Sequence, residues 1–146
     1  MISKSLSRLL RLAPVAGAAA LLVPITAMAS TTSIQPTAAT LVAKGIAVDV
    51  SVTFTCPAGD QLGFFGFPGL SITVQQAVSK TQQAAGQGYA SGQCSGAVQT
   101  DVVRVVANSA PYRTGPALVS TNLEACDTLG NCVFASSNNV VFRITN

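Results

Sequence analysis

The residues best suited to chemistry in this chain are four cysteines, Cys56, Cys94, Cys126 and Cys132, and there is no histidine to work with them. A thiol or hydroxyl nucleophile needs a base, so Ser-His-Asp and Cys-His sites are impossible here. Histidine-based zinc centres are excluded on the same ground, and the CxxC pairs that favour tetrathiolate zinc are absent. All four cysteines lie downstream of a segment that reads as an export signal. An even cysteine set in a small exported chain points to two disulfides, with no metal.

Other catalytic patterns are missing as well. The chain beyond the signal has no Ser-x-x-Lys pair, no Gly-x-Ser-x-Gly elbow and no phosphate-binding glycine loop. Asp127-Thr128-Leu129-Gly130 resembles an Asp-Thr-Gly motif, but Leu129 interrupts it, and an Asp-stabilised turn explains the residues better. Glycoside hydrolysis needs two carboxylates across a cleft. Only five acids are present, and Asp49 and Glu124 fall at outward strand positions, where Arg104, Arg143 or solvent would meet them. Calcium held by Asp127 and Asn131 would have two oxygens, short of the six to eight it takes. The chain reads as non-enzymatic, without cofactor.

Residues 1–29 read as a signal peptide. Lys4, Arg8 and Arg11 precede an apolar run from about Leu12 to Ile25, and Ala27-Met28-Ala29 supplies small residues for cleavage near Ala29. Pro14, Pro24 and the short run argue against a membrane anchor. The expected product is secreted and free of the membrane. Removing the signal also changes the charge. The full chain carries +3, but the remainder balances Lys44, Lys80, Arg104, Arg113 and Arg143 against Asp49, Asp60, Asp101, Glu124 and Asp127. A neutral chain has no electrostatic footprint for nucleic acid.

The elements that must position the cysteines have a period of two. Val48, Val50, Val52, Phe54 and Cys56 alternate with Asp49, Ser51, Thr53 and Thr55, as in a half-buried antiparallel strand. Leu70, Ile72, Val74 and Val78 repeat the pattern around a polar Gln76. Ala117, Val119 and Leu123 do so again, as do Val140, Phe142 and Ile144. Weaker strands are expected at 39–43, 88–94 and 102–106. Turns separate them at Lys44-Gly45, 57–60, Ala85-Gly86, Ser95-Gly96, 111–116 and 129–131. The expected fold is all-β: a two-sheet antiparallel sandwich of about seven strands over 38–146, after a flexible lead-in at 30–37.

Strand phase also orders the cysteines. Cys56 lies on an inward face. Cys94 shares its phase with Gly88, Ala90 and Gly92, small residues that permit close approach. Cys126 shares its phase with Ser120, Asn122 and Glu124 and is expected to face away from the core, with Cys132 following after a turn. The expected bridges are Cys56–Cys94 in the core and Cys126–Cys132 across a local loop.

One segment invites a binding role. Leu62 to Leu70 holds three of the six phenylalanines, Phe64, Phe65 and Phe67. If exposed, they form an apolar patch for a partner protein or an apolar small molecule; if folded back, they cap the end of the sandwich.

Val52-Thr53-Phe54-Thr55-Cys56, Gly92 to Gln99 and Gly115-Pro116-Ala117 leading to Cys126 and Cys132 resemble small exported immunoglobulin-like domains of actinobacteria, though the usual core tryptophan is missing. A fainter likeness is to neocarzinostatin-type apoproteins, which are exported sandwiches with a late disulfide-closed loop and an apolar ligand. These resemblances imply an immunoglobulin-like module with a structural or protein-interaction role. A carrier of an apolar small molecule, with a cleft beside Phe64–Phe67, is the alternative. A secreted enzyme inhibitor, with a rigid loop near Cys126–Cys132, is a third.

Overall fold

The strongest alternation in the sequence builds the central strand. In the computed structural model, which describes residues 31–63 and 66–146, β2 (Ala47–Thr55) buries Val48, Val50, Val52 and Phe54. It lies between β1 (Ser33–Val42) and β7 (Gln99–Ala107), antiparallel to both. The signal peptide expected at 1–29 lies outside the described residues.

The remaining strands are β3 (Gln61–Leu62), β4 (Leu70–Ala77), β5 (Gln83–Ala90), β6 (Gly92–Gln93), β8 (Gly115–Cys126) and β9 (Cys132–Ile144). Seven are long, as expected, and two are only two residues each. The ladder runs β1-β2-β7-β5-β4-β8, with β9 along one edge of β8 and β3 then β6 along the other. Hydrogen bonding therefore joins all nine strands in one antiparallel sheet, where two separate sheets were expected. The join between the two halves is narrow. β5 meets β7 at only two residue pairs, Gly86–Ala107 and Gln87–Val106. A side chain at Gly86 would overlap the Val106 carbonyl, so the contact needs glycine there.

The far ends of the sheet also meet. Thr40 and Thr145 form a parallel bridge. Leu41 N–H donates to Thr145 O (2.7 Å) and Thr145 N–H to Ala39 O (3.0 Å). The sheet curls round one core, to which β1, β2, β4, β7, β8 and β9 all contribute.

The lead-in expected at 30–37 is corrected: β1 begins at Ser33. Ile34 and Pro36 point inward between exposed Ser33, Gln35 and Thr37, so the period of two was present but carried by few apolar residues. Pro36 sits beside a register shift on a terminal strand, where its missing N–H does little harm. The last strand is likewise longer than the alternating run at 140–144, because Cys132–Ser137, which has no alternation of its own, also pairs with β8.

Two polar side chains hold the loop between β7 and β8 against β4. Inward-facing Gln76 accepts a hydrogen bond from Arg113 N–H (2.8 Å) and donates to Arg113 O (2.8 Å) and Pro116 O (3.3 Å). Tyr112 is buried and donates its hydroxyl to Val74 O (3.2 Å). Desolvation pushes its pKa up to about 12. Thr121 faces the core on β8 with no hydrogen-bond partner for its hydroxyl among the described residues.

Two measurements follow from this packing. Thr121→Val keeps the shape and removes the unpaired hydroxyl, so it should raise unfolding stability by about 1 kcal/mol in urea; a loss of that size would mean the hydroxyl is satisfied. The Tyr112 pKa is raised in the folded state, so its contribution is complete below pH 10 and lost as pH climbs towards 12. The loss should reach about 2–3 kcal/mol, and Tyr112→Phe should flatten that alkaline limb. An unchanged limb in the variant would refute the assignment.

Candidate binding end

Both disulfides converge on one end of the molecule. Cys56 directly follows β2 and Cys94 directly follows β6; they are bonded to each other, buried in the core, with Cα atoms 5.5 Å apart. Two backbone bonds flank the bridge, Gly59 N–H to Cys94 O (3.0 Å) and Cys94 N–H to Asp60 O (2.8 Å). The loop after β2 and the loop after β6 thus form one stapled unit. β3 ties that unit to the tip of β8, because Gln61 pairs with both Gln93 and Cys126.

Cys126 and Cys132 form the second bridge, as direct cross-strand partners with Cα atoms 4.0 Å apart. Cys126 sits outside the core cluster, as its phase predicts, yet it is itself buried. Within the loop, Asp127 organises the turn. Its carboxylate accepts from Leu129 N–H (2.8 Å), Asn131 N–H (2.9 Å) and the Asn131 side-chain amide (2.8 Å). These donors, the Asn131 side chain first, hold the Asp127 pKa below its ordinary 3.8. The carboxylate is spent on its own turn, as the Asp-turn expectation held. Leu129 stands at the tip, 85% exposed.

Glu124, Cys126 and Cys132 are the one grouping among the described residues with metal-ligand atoms close together. Both sulfurs are oxidised in the disulfide, so neither is a thiolate that could bind an ion. Farther down the sheet, Asp49 is held below its ordinary pKa by a two-point hydrogen bond from its cross-strand partner Arg104, at 2.8 Å for each contact. Arg104 is one of the partners the sequence offered, beside Arg143 and solvent, and it is exposed.

The phenylalanine loop joins β3 to β4 at this same end. Phe64 and Phe65 lie outside the described residues, while Phe67 is 75% exposed. Two glycines pinch the loop at its base. Gly63 N–H donates to Glu124 O (3.0 Å) and Glu124 N–H to Gly69 O (2.6 Å), so both glycines bond to one residue of β8. A Cβ on Gly69 would overlap Gly63 N and Glu124 O, and Gly63 has φ +91°. The base of the loop is therefore fixed at Gly63 and Gly69, and Phe67 is exposed between them. A cleft of about 230 Å³ lies beside Phe67, bounded also by Leu62, Pro68, Gln61 and Ser91. It is smaller than the usual small-molecule pocket.

Three further exposed apolar residues crown or border this end: Val98, Leu129 and Phe134. Phe134 pairs with Glu124 across β8 and β9. The sequence did not single it out, because Cys132-Val133-Phe134-Ala135 is an unbroken apolar run without the alternation that would assign Phe134 its face. The signal available was the disulfide hairpin itself, which forces the residues after Cys132 into register with those before Cys126.

Comparison with known proteins returns no match: no family model, curated protein or solved structure is similar to this chain.

The two kinds of glycine in the phenylalanine loop separate in a simple test. Gly69→Ala should detach the loop from β8 and abolish amide-exchange protection at Gly63 and Glu124. Gly66 has φ +84° but open space around it, so Gly66→Ala should cost only about 1–2 kcal/mol of backbone strain and leave that protection in place. Equal protection in Gly69→Ala and the parent would show that the base is not pinched as described.

Proposed function

We propose that this chain is an exported, non-enzymatic, immunoglobulin-like module that binds a partner protein through its disulfide-stapled end. The observation that carries the reading is the convergence of both bridges on loops that hold apolar side chains in solvent, Phe67 and Leu129 foremost. Rigid loops lose little conformational freedom on binding, so exposed apolar groups fixed in place give more affinity than mobile ones.

Several observations support the rest of the reading. Two disulfides with no free cysteine fit an oxidising compartment. No helix among the described residues is long and apolar enough to cross a membrane. The seven long strands pair in the order first, second, fifth, fourth, third, sixth, seventh, the order of constant-type immunoglobulin strands A-B-E-D and C-F-G. In that scheme the stapled loops are the B–C, D–E and F–G connections, which share one end. The absence of histidine and the engagement of Asp49 and Asp127 in local hydrogen bonds favour a non-catalytic role.

A second reading has its own observation. Leu129, at the tip of a disulfide-closed turn, suits a loop that enters a protease cleft. That reading predicts inhibition of a secreted protease that Leu129→Ser removes and Phe67→Ser does not.

Native mass spectrometry of the protein from its own culture medium should find it in complex with another polypeptide. Phe67→Ser should weaken that complex by about tenfold while changing stability by no more than about 0.5 kcal/mol. A bound small molecule, or a complex indifferent to both Phe67 and Leu129, would refute the proposal.

A further inference from the structure

Away from the stapled end, the outer face of β5, β4, β8 and β9 has an unusual make-up. Register places Tyr89, Ser71, Asn122 and Ser136 side by side in one row across the four strands. The next row holds Gln87, Thr73 and Ser120. Charges appear only at the margins of the sheet, with Glu124 at one end of β8 and Arg143 at the opposite end of β9. The other outer face differs, because the Asp49–Arg104 pair sits in its middle. Solvated sheet faces are normally kept soluble and unattractive to other strands by charged side chains. This one uses amides and hydroxyls.

The relief of the face matters as much as its chemistry. Tyr89 on β5 is 57% exposed, and Phe134 stands exposed on β9, two residue pairs further along. Three strand spacings separate β5 from β9, roughly 14 Å. Between these two rings the floor is made of small side chains, Ser71, Thr73, Ser120 and Asn122. A shallow groove of about 310 Å³ already lies against Phe134, with Asn122 and Ser136 in its wall. A second, distinct groove of about 340 Å³ lies further along the same face over Leu118 and Val141, edged by Gln75 and Gln83.

Most polar groups of the floor are free to bind; the exception is Ser120, whose hydroxyl accepts from Asn139 N–H (3.0 Å) and donates to Asn139 Oδ1 (3.4 Å). Ser71, Thr73, Asn122 and Ser136 make no side-chain hydrogen bond to another described residue. Tyr89 donates its hydroxyl to Gln87 Oε1 (2.8 Å), which steadies the ring and leaves the Gln87 amide nitrogen free to donate. An anionic polymer would find no counter-charge on this floor, only Glu124 beside Phe134. A purely apolar partner would strand its amides and hydroxyls without partners. A neutral polysaccharide matches both features, since its hydroxyls donate and accept, and the C–H faces of its sugar rings stack on aromatic side chains.

We propose that the β5-β4-β8-β9 face is a binding platform for a neutral polysaccharide chain, laid between Tyr89 and Phe134 over the Ser71–Asn122 floor. Phe134 also borders the stapled end, but neither Phe67 nor Leu129 belongs to this platform, so either proposal can fail without the other.

The test is retardation of the disulfide-intact protein in native gels containing hydroxyethyl cellulose, dextran or mannan, and its retention on chitin and microcrystalline cellulose, with anionic alginate as the charged comparison. At least one neutral polymer should retain it and alginate should not. Tyr89→Ala, and independently Asn122→Asp, should each weaken retention by about tenfold, whereas Val102→Ser on the opposite face should leave it unchanged. Asn122→Asp keeps the side-chain shape, so it remains informative if Tyr89→Ala folds poorly. Retention by none of the neutral polymers, equal retention by alginate, or retention insensitive to both substitutions would overturn the proposal. So would sedimentation showing a dimer that Tyr89→Ala dissociates, since the face would then belong to a second copy of the chain.

Discussion

Four consecutive inward positions of β2, from Val48 to Phe54, are shut away from water, and the next one, Cys56, is covalently tied to Cys94. Burying such a row on one face of a strand sets the register of every neighbour, because a slip of one residue would turn the whole set towards solvent. β1 and β7 take their register from β2 along most of its length. The bridge at the end of the row then anchors the loops that leave it. Core and stapled end are in this sense one object: the hydrophobic phase of a single strand delivers a cysteine to the place where the loops have to be held.

The rest of the molecule is a solution to closing a sheet around that strand. β5 crosses to β7 through a contact so close that Gly86 has no side chain to spare, and β9 returns to β1 through two backbone bonds. Gln76 and Tyr112 fasten the intervening loop from within the core. Each of these devices is local and polar, or uses glycine. The apolar residues supply the driving force, and these contacts decide which way the sheet turns.

That division explains what could be read from the chain. Alternation exposed β2, β4 and β8, and strand phase gave both disulfides, since a cysteine at an inward position can bond only to another that reaches the core. Alternation exposed only the later part of β1, from residue 39, and missed its start, where Ile34 and Pro36 are the only inward residues, as well as the first half of β9, where register comes from the hairpin closed by Cys126 and Cys132. It also treated Gln76 as an irregularity, although its partners, the backbone of Arg113 and Pro116, are nearly forty residues away. Strand order was hidden for the same reason, being a matter of non-local pairing. Of the stapled end, Phe67 was legible as a loop aromatic, while Phe134 and Leu129 acquired their places only once the hairpin was built.

The parallel meeting of β1 and β9 has a mechanical side. β1 runs into the contact from its amino-terminal end, and β9 leaves it towards the carboxyl terminus. A pull on the two ends of the domain therefore drags these strands past each other. The bonds from Leu41 to Thr145 and from Thr145 to Ala39 lie across that direction. They are loaded in shear and must break together, whereas bonds between antiparallel terminal strands would open one at a time like a zip. The smallest patch of pairing in the sheet thereby becomes the place where the domain bears tension.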